Sequence, residues 1–161
     1  AVSELVNQVG TSSGTGFEAA VAVRRMYLLE IYVSSSSAAN ALNLIFNHTG
    51  GTSYSDRRSI DGGADSTDVS AAFGRMPDVT LGTTVGNHYI CYIHNAQNAP
   101  KSVRCETTGV PVAASTAPNR GEGAIVWQDA AAEISNISVQ SVTAGATLNL
   151  PAYFRIWASA D

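Results

Sequence analysis

Three histidines, thirteen acidic residues and two cysteines are the groups with which this chain could do chemistry. His88 and His94 fall on one expected strand, on the same face but roughly 20 Å apart. Zinc ligands sit closer together than that, so these two, like His48, read as polar residues at strand ends. Asp56, Asp61, Asp65 and Asp68 lie among glycines. Oxygen-rich loops of this kind can hold Ca²⁺, yet the spacing is not that of an EF-hand, and aspartate serves turns equally well. Glycoside hydrolysis needs two carboxylates facing each other across a cleft. Glu30, Glu106, Glu122 and Glu133 are available, but nothing in their spacing pairs them. No Gly-x-Ser-x-Gly, His-Glu-x-x-His or phosphate loop is present. The expectation is a protein without a catalytic site, metal or cofactor.

Binding is the better prospect. The polar stretch from Thr49 to Thr67 contains Gly50-Gly51, Asp56-Arg57-Arg58 and Asp61-Gly62-Gly63. A connection this long is uncommon without a role, so Tyr54, Asp56, Arg57, Arg58 and Asp61 form a candidate contact loop. Trp127 and Trp157, with Tyr54 and Tyr153, could stack on the apolar faces of sugars. Core or subunit-interface packing is the commoner fate of such rings. Asn47-His48-Thr49 and Asn136-Ile137-Ser138 match the glycosylation triplet but fall in expected strands.

These groups must be held by strands. Short runs of β-branched and aromatic residues alternate with Gly, Ser, Asn, Asp and Thr clusters. Strands are expected at Ser3–Val9, Phe17–Val23, Met26–Val33, Ala41–His48, Asp68–Phe73, Val79–Thr84 and Gly123–Gln128. Ile134–Val142 and Ala152–Ala158 are expected to pair through Thr143–Pro151. In the last strand Phe154, Ile156 and Ala158 alternate against Tyr153, Arg155 and Trp157. Val110–Asn119 reads as a Pro- and Ala-rich link, and Ala130–Glu133 as at most one helical turn. His88–His94 and Ser102–Thr107 read as a hairpin folded about Asn98. That register sets Cys91 opposite Cys105, and Tyr92 opposite Arg104. Opposed Cβ atoms lie about 4.5–5.5 Å apart, so a cross-strand disulfide and two buried thiols are both open.

The sum is one all-β domain over residues 1–161, a jelly-roll-like antiparallel β-sandwich of about eight to ten strands. Charged residues make up 14% of the chain, well under the usual quarter or so. The surface is therefore built from Ser, Thr, Asn and Gly, which desolvate at lower cost than charges. Net charge is −4, and Lys101 is the single lysine. The chain lacks the positive stripe that nucleic acid requires and the apolar run of about 20 residues that a membrane span requires.

Three stretches carry a family resemblance. The first is Tyr27–Val33 with Leu42–Asn47. The second is Ile93-His94-Asn95 with Lys101-Ser102-Val103. The third is Ile134–Val139, the turn at Gly145, and Tyr153–Trp157. Together they resemble small jelly-roll virion proteins of tailed bacteriophages, which include capsid decoration (cement) proteins and tail-fibre modules. The resemblance implies a sandwich carried in many copies on a virion surface and made in the host cytoplasm. It implies a major capsid protein or another virion protein as partner, and a homo-oligomer, commonly a trimer. The alternative is a carbohydrate- or receptor-binding module of a tail fibre or secreted protein. The two cysteines depart from the family pattern, and no functional residue carries over.

Overall fold

A computed structural model describes residues 2–9, 14–77, 81–110 and 117–159. Twelve strands run through them. They are β1 (Val2–Val9), β2 (Gly16–Ala20), β3 (Met26–Ser36), β4 (Leu42–Phe46), β5 (Tyr54–Ile60) and β6 (Ser66–Ala71). There follow β7 (Gly74–Arg75), β8 (Gly86–His94), β9 (Lys101–Val110), β10 (Arg120–Trp127), β11 (Asn136–Ser141) and β12 (Leu148–Ser159). All pairings are antiparallel. One sheet has eight strands, ordered β1-β12-β3-β8-β9-β10-β5-β6, and the other has four, ordered β2-β11-β4-β7.

The result is the antiparallel β-sandwich expected from the sequence, with unequal layers. Alternation decides which side chains fill it. Tyr27, Leu29, Ile31 and Val33 of β3 point inward, as do Tyr89, Cys91 and Ile93 of β8. Phe154, Ile156 and Ala158 of β12 join them, against Leu42, Leu44, Phe46, Ile137 and Val139 of the smaller sheet. Gly74 lets the two layers meet closely, because a Cβ there would stand 2.3 Å from the side chain of Ile125.

The β8–β9 hairpin has the expected register, with Cys91 opposite Cys105 and Tyr92 opposite Arg104. The two cysteines form a disulfide with no solvent exposure. It lies in an inward row that runs Ile156, Leu29, Cys91, Cys105, Gly123 across five strands. Closing a loop of about 15 residues stabilises a fold by roughly 3 kcal/mol. The Cys91→Ala/Cys105→Ala double variant is therefore expected to melt roughly 6–12 °C lower. A melt within 2 °C or so of the parent, by calorimetry, would contradict this.

Two expectations need correction. The stretch 49–67 is not one long loop: β5, the whole turn over 61–65 and the start of β6 at Ser66 lie within it. Its alternation is hidden because the inward positions beyond Tyr54 are Asp56 and Arg58, an ion pair instead of aliphatic residues. The segments at Ile134–Val142 and Ala152–Ala158 do not pair with each other. β11 joins β2 and β4 in the small sheet, whereas β12 joins β1 and β3 in the large one. The connection over 142–147 crosses between layers, which a tight two-residue turn would forbid. Ala130–Glu133 forms no helical turn. Part of the expected strand Val79–Thr84 and of the link Val110–Asn119 lies outside the described residues, and Leu81 bridges Asn40.

Candidate functional site

The residues expected in a contact loop are strand and turn residues with internal duties. Tyr54 is buried: its hydroxyl accepts a 2.7 Å hydrogen bond from the Phe46 amide, and its ring stacks on Trp127 at 6.3 Å. Burial pushes its hydroxyl above the usual tyrosine range. The Asp56 carboxylate is also buried. Its Oδ2 accepts from the Arg75 amide at 2.9 Å, and its Oδ1 lies 2.9 Å from Arg58 Nε. Burial raises its pKa, opposed by that amide and by the Arg58 charge. Arg58 also pairs with Asp68, and Arg57 pairs with Asp65 at 3.3 Å. Asp61 opens the turn and exchanges hydrogen bonds with the Arg120 backbone, accepting through Oδ1 at 2.7 Å. Each of these aspartates meets an arginine or a backbone amide. Among the described residues no group of three or more His, Cys, Asp or Glu side chains is placed to hold a metal ion.

The two tryptophans lie on opposite sides of the large sheet. Trp127 is fully buried between Phe46, Tyr54 and Lys101. Trp157 stands on the outer face. They cannot form one stacking platform, and Trp127 offers no face to a ligand. The histidines separate as well. His88 Nε2 lies 3.0 Å from Glu30 Oε1 on the outer face, and His48 Nε2 lies 3.3 Å from Glu18 on the small sheet's side.

The structure instead brings together a surface on the outer face of β12, β3 and β8. Its register forms cross-strand rows. One row runs Trp157–Leu28–Tyr92 and is entirely apolar or aromatic. Met26 and Val2 extend it. Val2 is 68% exposed, Tyr92 51% and Met26 49%. Between them lies a shallow groove of about 230 Å³. Among the described residues no charged side chain lines it.

The next rows along the strands, Arg155–Glu30–Ile90 and Tyr153–Tyr32–His88, are polar apart from Ile90 and largely satisfy one another. Glu30 Oε1 accepts from Tyr153 Oη at 3.0 Å and faces His88, while Oε2 lies 3.7 Å from Arg155 Nη1. Arg155 sits 4.4 Å over the Tyr153 ring and donates to Asn7 Oδ1 at 3.3 Å. Tyr153 stacks on Tyr32 at 5.6 Å. Burial, reinforced by the Glu30 carboxylate, holds the Tyr153 hydroxyl above its ordinary pKa. The network ties four strands together and forms a rigid polar border beside the apolar row.

Sequence reasoning placed Trp157 here but missed Leu28, Met26 and Tyr92. The signal was present, since Leu28 shares its face with Glu30 and Tyr32, where an exposed polar residue would be the default. Compared with protein-family models, with curated proteins and with solved structures, the chain matches none.

Proposed function

We propose that this protein is a structural virion component, a capsid-decorating β-sandwich that seats on the outer capsid surface and on copies of itself. The observation that carries the reading is the uncharged row Trp157–Leu28–Tyr92, with Met26 and Val2, exposed beside the polar Glu30 network. Trp, Tyr and Met are the residue types enriched in the cores of protein interfaces, with charges depleted there. A polar border such as the Glu30 network suits the rim of such a contact. The low charge content fits close packing against identical neighbours.

The partners in this reading are the major capsid protein and other copies of the chain, in a closed oligomer. A trimer is the form the resemblance favours. Neither nucleic acid nor a cofactor takes part. No helix in the described residues is long and apolar enough to cross a membrane.

Native mass measurement on the purified chain is expected to give three times the monomer mass. The Tyr92→Glu/Trp157→Glu double variant is expected to remain folded and to fall to monomer, because a charge in a desolvated contact costs several kcal/mol. A parent chain that is strictly monomeric and also fails to co-sediment with capsids would overturn the reading.

A further inference from the structure

At one end of the sandwich, the β2–β3 connection, the β8–β9 turn and the segment before β11 border an open surface cavity of about 460 Å³. It is lined by Val23, Arg24, Arg25, His94, Gln97 and Glu133, over a floor that includes Asn95. That volume falls within the range of organic-ligand sites and far exceeds what an inorganic ion fills. Two arginines meet one glutamate there, in a chain of net charge −4. The Arg25 side chain is exposed and makes no hydrogen bond or ion pair among the described residues.

The backbone that carries the arginines is held from below. Asn95 is 3% exposed and uses both its amide groups on this connection. Its backbone N–H donates to Arg25 O at 2.8 Å, and its Nδ2 donates to Arg24 O at 2.9 Å. Its Oδ1 accepts from the Ile134 amide at 3.1 Å, which ties in the Glu133 segment. Beside it the Tyr27 hydroxyl accepts from the Arg24 amide at 2.9 Å and lies 3.0 Å from both Ala22 O and Ile134 O. Three separate chain segments are thus locked by two buried polar side chains. Backbone held in place before binding lowers the ordering cost, which is then confined to the exposed side chains.

We propose that this cavity binds a small organic monoanion rich in hydroxyl groups, an acidic saccharide residue, with Arg25 as the group that recognises its carboxylate. A guanidinium presents a planar fork matched to a carboxylate. Gln97, His94 and Glu133 supply donors and acceptors for hydroxyl groups, and Val23 supplies an apolar wall. Glu133 discriminates against ligands of higher negative charge, since a second anionic group would meet it. The site adjoins the outer-face row where Met26 pairs with His94, but the two are lined by different residues and neither proposal depends on the other.

Titrating the ¹⁵N-labelled full chain with glucuronate tests this, with glucose and inorganic phosphate as comparators. Glucuronate is expected to saturate and to shift the amides of residues 24–25 and 94–97. Arg25→Gln is expected to weaken it roughly tenfold or more, the loss of one charge-assisted hydrogen bond or more, with an unchanged melting temperature. Glucose and phosphate are expected to bind at least tenfold more weakly than glucuronate. Failure of glucuronate to saturate, shifts elsewhere, equal binding of glucose or phosphate, or full affinity in Arg25→Gln would each overturn the proposal.

Discussion

Replacing Trp127 with alanine is expected to lower the free energy of unfolding by about 4 kcal/mol, the range for deleting a fully buried aromatic side chain. The indole is fully buried where the two sheets meet. Phe46 of the small sheet lies 5.6 Å from it and Tyr54 of β5 lies 6.3 Å away, so one ring links β10, β4 and β5. Alanine would leave a cavity bounded by side chains from both layers, and neither layer can collapse independently into it. Trp127→Phe sharpens the test. The indole Nε1 is buried with no hydrogen-bond partner among the described residues, so phenylalanine removes an unsatisfied donor together with some volume. These effects oppose each other, and a loss of only about 1 kcal/mol is expected. Urea unfolding followed through the remaining Trp157 measures both. A Trp127→Ala loss below about 1.5 kcal/mol would show that the ring is not central to the layer contact.

The same residue shows what was legible in the sequence. Trp127 and Trp157 were grouped as candidate aromatic contacts because residue type was weighed without strand phase. Phase was readable for Trp157, which alternates with Phe154 and Ile156 and so points outward. It was readable for Trp127 only once Ile125 is taken as a core residue. The register of the β8–β9 hairpin was legible, because alternation sets Cys91 and Ile93 on the same face as Cys105 and Val103, but its strands run further than expected, from Gly86 and to Val110. The β5–β6 hairpin was obscured because its core-facing positions hold the Asp56–Arg58 pair, where burial is compensated by charge instead of being avoided. The division of β11 and β12 between sheets was not readable, since a connection of six residues can return a strand beside its neighbour or carry it to the other layer, and the packed layers decide which.

The cysteines illustrate a different limit. The virion resemblance left them unaccounted for, whereas the structure gives them a place in the inward row between Leu29 and Gly123. The end cavity likewise had no local signature. Arg24-Arg25, His94 and Glu133 are far apart in the chain, and the β3–β8 register together with the clamp by Asn95 and Tyr27 brings them together.

Lys101 should show the second large effect. It is fully buried, directly opposite Trp127 across β9 and β10. Its ammonium lies 5.9 Å from the Trp127 ring centroid and donates to Ala99 O at 2.8 Å, Asp129 O at 3.1 Å and Ala130 O at 3.2 Å. Three donors meet three carbonyls, so the cation closes the end of the β8–β9 turn against the segment that follows β10. Lys101→Ala would orphan all three acceptors and open a void, for a loss of about 4 kcal/mol. Lys101→Met keeps most of the volume and removes only the donors, so about half that loss is expected. A cycle with Trp127→Phe separates the ring contribution, and coupling near 1 kcal/mol is expected for a buried cation over an aromatic face. Because the chain has a single lysine, amine acetylation followed by mass spectrometry reports on its burial directly. The side chain is expected to react only as the protein unfolds in urea. Rapid acetylation of Lys101 in the native protein, or a Lys101→Ala variant as stable as the parent, would show that the carbonyl cage does not hold the turn.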